Sequence, residues 1–183
     1  MNRKALSRGA ELVLRHFPQK NGLVVLTFHN IPPKNFKDFE KLILRLKKKH
    51  EFIDPNQIAE INQNEKGIKI LLTFDDGFYS NKVVYEKVLK KLNLKACFFV
   101  CEDFIDLQTA ECKNFIIERF KQNINMQQIC NDLYFPMGWE DLFNLHIEGN
   151  IIGAHTKTHQ NLSSIENECI LLNEIVYSAN RIE

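Results

Sequence analysis

The sequence has no long hydrophobic run and no excess of charge of one sign. Its 183 residues include 24 Lys and Arg and 23 Asp and Glu, which gives a formal net charge of +1. Nucleic-acid-binding domains usually carry a clear basic excess, and a membrane span needs roughly 18 or more consecutive apolar residues. Residues 1–17 also lack the apolar core of a secretory signal. We therefore expect neither a nucleic-acid partner nor a transmembrane segment.

Cysteines arranged as a disulfide framework or a Cys-rich metal site are also lacking. The five cysteines are odd in number, and no pair has Cys-x-x-Cys spacing. Free cysteines in apolar runs behave as small hydrophobic residues, and unpaired cysteines are typical of reducing compartments. We interpret all five as reduced and structural, which predicts a cytoplasmic protein.

The chain is long enough for one domain with a sizeable core but short for two. Residues 1–19 carry apolar side chains at helical spacing among charged ones, which predicts an amphipathic helix that packs on the domain. Contact of this helix with a membrane surface is the alternative. Residues 20–183 form the predicted main domain, which contains no repeat and no low-complexity linker.

Short apolar runs alternate with helical patterns along this domain. Strands are predicted at residues 23–26, 51–53, 68–74, 96–100 and 150–154. The third of these contains Ile70-Leu71-Leu72, which is apolar on both faces, as in a buried parallel strand. The alternation predicts an α/β fold with about five parallel strands.

Helices are predicted between the strands and after the last one. Residues 102–138 are less regular, and their aromatic and aliphatic residues near position 116 predict a single helix there. A capping box from Ser163 to Glu166 predicts the start of the last helix. The apolar spacing in that helix predicts a buried stripe made of Ile165, Cys169, Leu172, Val176 and Ala179.

Two carboxylates follow the most apolar predicted strand, in Thr73-Phe74-Asp75-Asp76-Gly77. Functional groups in parallel α/β folds gather at the C-terminal ends of strands. Like charges in a partly buried site repel one another, and a divalent cation offsets that repulsion. Gly77 permits a sharp turn. The alternative is ordinary turn chemistry, in which one Asp caps the next helix.

A second polar group, His155-Thr156-Lys157-Thr158-His159, also follows directly after a predicted strand. Two His four residues apart on a helical turn present both imidazoles to one face and can chelate one metal ion. The alternative is a pair of solvated His in a polar loop.

The two groups lie on the same rim of the predicted sheet. One Asp and two His are a ligand set typical of catalytic zinc or a similar metal. Such a site supports amide or ester hydrolysis, with the other carboxylate as general base. His29 follows the first strand and could reach this rim or only support it. Trp139 could line a sugar-binding groove, or it could instead have a core role or start a helix.

The stretch from Leu72 to Gly77, followed further along the chain by Gly153 to His159, resembles the motifs of the polysaccharide deacetylase family (NodB homology domain, carbohydrate esterase family 4). The resemblance extends over roughly residues 20–182. Supporting similarities are the strand that ends in Phe28-His29, the helix at 39–46, the strand at 96–100, and Trp139 before the His motif.

The resemblance implies a distorted (β/α) barrel that removes acetyl groups from N-acetylated sugars of polysaccharide or surface glycan, using a divalent metal that is often zinc. It implies that Asp75 is the catalytic base that activates the attacking water. It also implies that Asp76, His155 and His159 are the metal ligands. At the rim or in supporting positions we expect His29, Thr73, Gly77, Thr156 and Trp139.

Family motifs that belong after the His motif are not found after His159. These are an Arg-containing motif that orients the base, a Tyr-Pro segment that helps to hold the oxyanion, and a late His that acts as general acid. We therefore expect an incomplete barrel that lacks its last strands. The alternative function is a catalytically impaired truncated fragment or remnant of such a deacetylase, and a second polypeptide that supplies the missing part is a further alternative.

Overall fold

Five parallel strands form a single sheet in the computed structural model, which describes residues 21–61, 66–105 and 107–182. The strands are β1 (Asn21–Phe28), β2 (Glu51–Phe52), β3 (Gly67–Phe74), β4 (Cys97–Val100) and β5 (Ile151–Ala154). They pair in the order β1-β3-β4-β5, and β2 pairs with β3. Within the described ranges no further strand covers the outer edges of β1 and β5, so the sheet does not close. The predicted α/β fold with an incomplete barrel is confirmed.

Helices connect the strands and cover the sheet. They are α1 (Phe36–Lys47), α2 (Tyr79–Val84, the π-helical Tyr85–Leu89 and the 3-10 turn Lys90–Leu92), α3 (Glu102–Ile105), α4 (Thr109–Glu118), α5 (Met126–Asn131), α6 (Trp139–Ile147) and α7 (Glu168–Leu172, the π-helical Asn173–Tyr177 and Ser178–Ile182). The apolar stripe of α1 is buried, as its spacing predicts. Asn93 ends α2 in the left-handed conformation, with φ of 53°.

The main core lies around β3 and β4, whose aromatic side chains contact one another. Phe74 stacks on Phe98 with ring centroids 5.1 Å apart, and Phe28 meets Phe39 of α1 edge-on, also at 5.1 Å. Each such fully buried side chain contributes about 1.5–3 kcal/mol relative to an exposed one. This core fixes the strands so that their C-terminal ends lie at one edge of the sheet.

Residues 102–138, together with Phe78 and Cys101, build a second, smaller core beside the first. It consists of Phe78, Cys101, Phe104, Cys112, Ile116, Ile124 and Ile129. The sequence predicts one helix in this region, and the structure contains three, α3 to α5. The additional helices have four and six residues, which is too short for hydrophobic periodicity to reveal them.

The start of the last helix differs from the prediction. The segment Leu162–Ser164 is a 3-10 turn, and α7 begins at Glu168. The side chain of Asn167 caps α7 by accepting a hydrogen bond from the Ile170 N–H. The predicted capping box was therefore wrong, because an Asn four residues further on provides the cap.

The predicted buried stripe of this helix was also wrong. Leu172 and Val176 are 41% and 42% exposed, Cys169 is exposed, and Ile165 and Ala179 are half-buried. The buried side chains of α7 are instead Glu174 and Ser178. A polar face of α7 is turned inward because it contacts the loop after β5, as described below.

Several sequence-based expectations concern the ends of the chain and its compartment. The amphipathic helix predicted at 1–19 lies outside the described residues. None of the helices in the described part of the chain has the length and apolarity that a membrane span requires. All five cysteines are free, and burial raises the pKa of the Cys101 thiol to about 12. Such a thiol is inert at neutral pH, as expected for a structural cysteine.

Candidate metal centre

Side chains from two loops meet at the C-terminal edge of the sheet. Asp76 follows β3, and His155 and His159 follow β5. The Oδ1 atom of Asp76 lies 3.4 Å from Nε2 of His159 and 3.8 Å from Nε2 of His155. One ligand atom from each residue lies within 4.8 Å of the other two. The structure therefore brings together the three residues predicted as metal ligands.

The turn that positions Asp76 contains two consecutive residues in the left-handed region. Asp76 has φ of 74° and Gly77 has φ of 90°. A Cβ atom at position 77 would lie 3.0 Å from Cδ1 of Ile105 and 3.2 Å from Val100. Only glycine fits there without strain, whereas an Asp adopts positive φ more readily than most other residues. The sequence Asp-Asp-Gly thus forms a turn, as the alternative predicts, and this turn places Asp76 beside the histidines. The capping role in that alternative was wrong, because Phe78 is the N-cap residue of α2 and no side chain caps the helix there.

The carboxyl group of Asp76 is buried, and one of its two oxygens lacks a hydrogen-bond donor. The residue is 2% exposed, and its Oδ1 atom has no hydrogen-bond partner. Burial raises the pKa of Asp76, and the nearby Asp75 raises it further, while His29, His159 and His155 act in the opposite direction. An unsatisfied buried carboxylate is costly. A divalent cation between Asp76 and the imidazoles would remove that cost, so these residues fit a metal ion.

The loop that carries both histidines, residues 155–159, is termed the His loop here. It is not helical, so the predicted helical turn was wrong. Thr156 and His159 have φ of 66° and 57°, and the His159 N–H donates to Oγ1 of Thr156. These two left-handed residues reverse the chain and place the imidazole rings 5.2 Å apart. The two imidazoles therefore lie close together, as the four-residue spacing predicts, but a non-helical loop and not a helical turn brings them together.

An aromatic ring and a cavity lie beside the His loop, and residues 102–138 contribute to both. The Phe120 ring packs edge-on against the His159 ring at 4.9 Å. A cavity of about 340 Å³ opens beside the two histidines, and its other lining residues are Arg119, Lys121, Thr156, Gln160 and Asn161. These polar side chains offer hydrogen-bond donors and acceptors to a hydroxyl-rich ligand.

Three other predicted site residues, His29, Thr73 and Asp75, lie at or near the ends of β1 and β3. Asp75 is half-buried beside Asp76, and its N–H donates to the Phe28 carbonyl at the end of β1. Thr73 donates to Oγ1 of Thr27 and thus ties β3 to β1. His29 is exposed and close enough for its charge to lower the pKa of Asp76.

Trp139 begins a helix, as one of the alternatives predicts, but it does not lie in the core. It is the first residue of α6 and is 37% exposed. The guanidinium of Arg181 in α7 lies over its ring, 5.6 Å from the centroid, a cation–π arrangement. This contact joins the start of α6 to α7.

Sequence reasoning missed the residues that hold the His loop. Glu174 and Glu102 are 2% and 4% exposed, and both contact this loop. Their charge suggested solvent-facing positions, and neither belongs to a motif. The one available signal was an acidic residue on the helix face that is predicted to be buried. For α7 the predicted buried face was itself wrong.

The sequence profile described as Polysaccharide deacetylase matches residues 62–183. No curated protein sequence matches the chain. Solved structures with the same fold include IcaB from Ammonifex degensii, with 22% identity, a TM-score of 0.55, and coverage of 75% of this chain and 54% of IcaB.

Two further solved structures show the same likeness. The Streptococcus pyogenes deacetylase PplD, solved in complex with acetate, has 15% identity and a TM-score of 0.60, with coverage of 89% of this chain and 67% of PplD. The BpsB deacetylase domain from Bordetella bronchiseptica has 18% identity and a TM-score of 0.58, with coverage of 90% and 77%. The chain thus spans between about half and three quarters of these proteins.

Proposed function

Because the chain belongs to the polysaccharide deacetylase family, we propose that it is a metal-dependent hydrolase that removes acetyl groups from N-acetylated sugars. The observation that carries the proposal is the buried Oδ1 atom of Asp76, which faces two imidazoles and has no hydrogen-bond donor. The proposed ligands are Asp76, His155 and His159. Zinc is the proposed metal, since one carboxylate and two imidazoles are a set of ligands that it accepts while leaving a position open.

The proposed reaction is hydrolysis of an acetamide by water. A divalent ion at this site would polarise the acetyl carbonyl and lower the pKa of the attacking water. Asp75 is the proposed general base: its carboxylate is half-buried beside Asp76 and would accept the proton of the attacking water. The cavity beside His155 and His159 would receive the sugar. Its Gln160 and Asn161 side chains can hydrogen-bond sugar hydroxyls.

The second candidate is a catalytically impaired fragment or remnant that keeps the metal site. The open outer edge of β5 in the described structure favours it. The two candidates differ in one result: a remnant would bind zinc without releasing acetate. A cytoplasmic location also remains a prediction, supported by the five free cysteines.

The first test is a calorimetric zinc titration of the metal-free 183-residue chain and of its His155→Ala variant. We expect one site in the unchanged protein and none in the variant, since removal of one of three ligands leaves too few for retention. His146→Ala is the matched control, because His146 is exposed on α6 and should leave binding unchanged. Equal zinc affinity with and without His155 would contradict the proposed centre.

Asp75→Asn separates catalysis from binding. We expect this variant to keep zinc affinity within a few-fold, and to release acetate from N-acetylglucosamine oligosaccharides about 10²–10⁴ times more slowly, the usual effect of losing a general base. Unchanged acetate release in Asp75→Asn would assign the base to another residue. Absence of release in both proteins, with zinc bound, would favour the remnant.

A further inference from the structure

One residue of the last helix makes three hydrogen bonds to the His loop. The Glu174 carboxylate accepts from the Thr158 N–H at 2.9 Å and from the Thr158 hydroxyl at 2.6 Å. Its backbone carbonyl accepts from the Lys157 N–H at 3.0 Å. Both carboxylate oxygens are therefore used, and they hold the residue that directly precedes His159.

The opposite side of the same loop is held by α3. The N–H groups of Glu102 and Asp103 donate to the carbonyls of Thr156 and Lys157. The Lys157 ammonium contacts the carboxylates of Glu102 and Asp103, at 3.1 Å and 2.6 Å. The His loop is thus hydrogen-bonded to α3 on one side and to α7 on the other. Its two histidines face Asp76.

Glu174 has no other described partner that would explain its burial. A carboxylate that is 2% exposed is retained only where hydrogen bonds or charges satisfy it. Glu174 also lies in the π-helical part of α7, Asn173–Tyr177. Such segments are uncommon and are frequent at functional sites. The loop it holds includes His159 in the strained left-handed region, which persists only if surrounding contacts maintain it.

We infer that Glu174 is a positioning residue that sets the geometry of the metal centre by fixing Thr158 and hence His159. The inference rests on the proposed metal site. Both carboxylate oxygens of Glu174 accept hydrogen bonds from Thr158, so Glu174 would act through the loop and not as a ligand. Partners of this kind, one step removed from the ligands, typically change metal affinity by 10–100-fold when removed.

Three variants separate hydrogen bonding from size and charge. Glu174→Met keeps a long side chain in the helix but accepts no hydrogen bond. Glu174→Gln keeps both bonds, because its amide oxygen can accept from the Thr158 N–H while its amide nitrogen donates to the Thr158 hydroxyl. Glu168→Met is the matched control, since Glu168 lies in the first turn of α7 and is exposed.

The experiment measures Zn²⁺ affinity by titration of each metal-free chain, together with the visible spectrum of the Co²⁺-loaded protein and thermal unfolding without metal. We expect Glu174→Met to weaken Zn²⁺ binding at least about 10-fold and to alter the Co²⁺ bands. Glu174→Gln should stay within about 3-fold of the unchanged protein, and Glu168→Met should not differ from it.

A role in stability alone would lower the melting temperature of Glu174→Met without changing its Zn²⁺ affinity or its Co²⁺ spectrum, and that result overturns the inference. If Glu174→Met does not fold, Thr158→Val replaces it, because this substitution removes the hydrogen bond between the Thr158 hydroxyl and Glu174. Unchanged Zn²⁺ affinity in Thr158→Val would also overturn the inference. If the unchanged chain binds no Zn²⁺, the proposed metal centre itself is overturned, and the inference with it.

Discussion

At the scale of single residues, the carboxyl group of Asp76 destabilises the metal-free fold and at the same time offers an oxygen to a metal ion. It is buried, one oxygen lacks a donor, and its backbone is left-handed. Each of these features lowers the free energy of unfolding of the metal-free protein. They accompany a position in which the carboxylate faces two imidazoles, so stability is given up at the proposed metal ligand.

Asp76→Asn should therefore stabilise the metal-free protein. The amide has nearly the same size, carries no charge to desolvate, and tolerates positive φ. We expect the free energy of unfolding, measured with urea in the presence of a chelator, to rise by about 1 kcal/mol. The same substitution should abolish the zinc site in calorimetry.

The control for this substitution is Asp38→Asn in α1. Asp38 pairs with Lys41 at 3.5 Å in a solvent-accessible ion pair, and such pairs contribute about 1 kcal/mol or less. A fall in stability for Asp76→Asn larger than that of the control would show that the Asp76 carboxylate is satisfied in the metal-free protein.

At the scale of elements, the turn between β3 and α2 is the feature on which the site depends. Gly77→Ala would place a methyl group against Ile105 and Val100 at a φ of 90°. We expect a loss of about 2 kcal/mol or more in the free energy of unfolding, from backbone strain together with overpacking. Zinc affinity should fall as well, because Asp76 is the preceding residue.

Gly149→Ala is the matched control for the turn. Gly149 has nearly the same φ, 89°, but a Cβ there would meet only the Lys95 side chain, at 3.5 Å. It should show the strain alone, about 1 kcal/mol, with zinc binding intact. Equal losses of stability in the two variants would mean that Ile105 and Val100 move aside without cost.

The elements that the sequence predicts well are those whose burial follows from their own periodicity. β3 is apolar on both faces, and its residues 70–74 are buried, as expected for a central strand of a parallel sheet. The stripe of α1 is buried against it. The strands then place Asp75, Asp76 and the two histidines on one edge, so this group was predictable from position along the chain. Only the family resemblance implied that Asp76, and not Asp75, is the metal ligand.

The elements predicted wrongly are those decided by contacts between distant residues. The His loop is shaped by Glu174 and Glu102, which spacing within the motif cannot reveal. The α7 helix buries Glu174 and exposes Val176, the reverse of what hydrophobicity predicts. In both cases hydrogen bonds across the fold outweigh the local pattern.

At the scale of the whole molecule, no strand of the described residues pairs with the outer edge of β1, and α7 has an apolar surface. Five large apolar side chains of α7 are between 41% and 60% exposed: Ile170, Leu172, Ile175, Val176 and Tyr177. Beside this helix, the outer edge of β5 is not covered by any strand of the described structure. Unpaired edges and exposed apolar side chains promote association.

We therefore expect the 183-residue chain to associate in a concentration-dependent manner. The double substitution Ile170→Lys and Tyr177→Lys should shift it toward monomer in size-exclusion chromatography with light scattering, because charge on an apolar surface disfavours association. Phe143→Lys is the control, since Phe143 is 62% exposed on α6. A chain that is monomeric at all concentrations would contradict this expectation.

The order of the strands along the chain also determines when the metal centre can form during synthesis. Asp76 emerges with β3, whereas His155 and His159 follow β5 and Glu174 comes later still. At about 5–20 residues per second, the ribosome completes the carboxylate side of the centre several seconds before the imidazole side. The proposed ion would therefore have no complete set of ligands while β1 to β4 are being synthesised. It would bind most tightly only after the last helix has packed against the His loop.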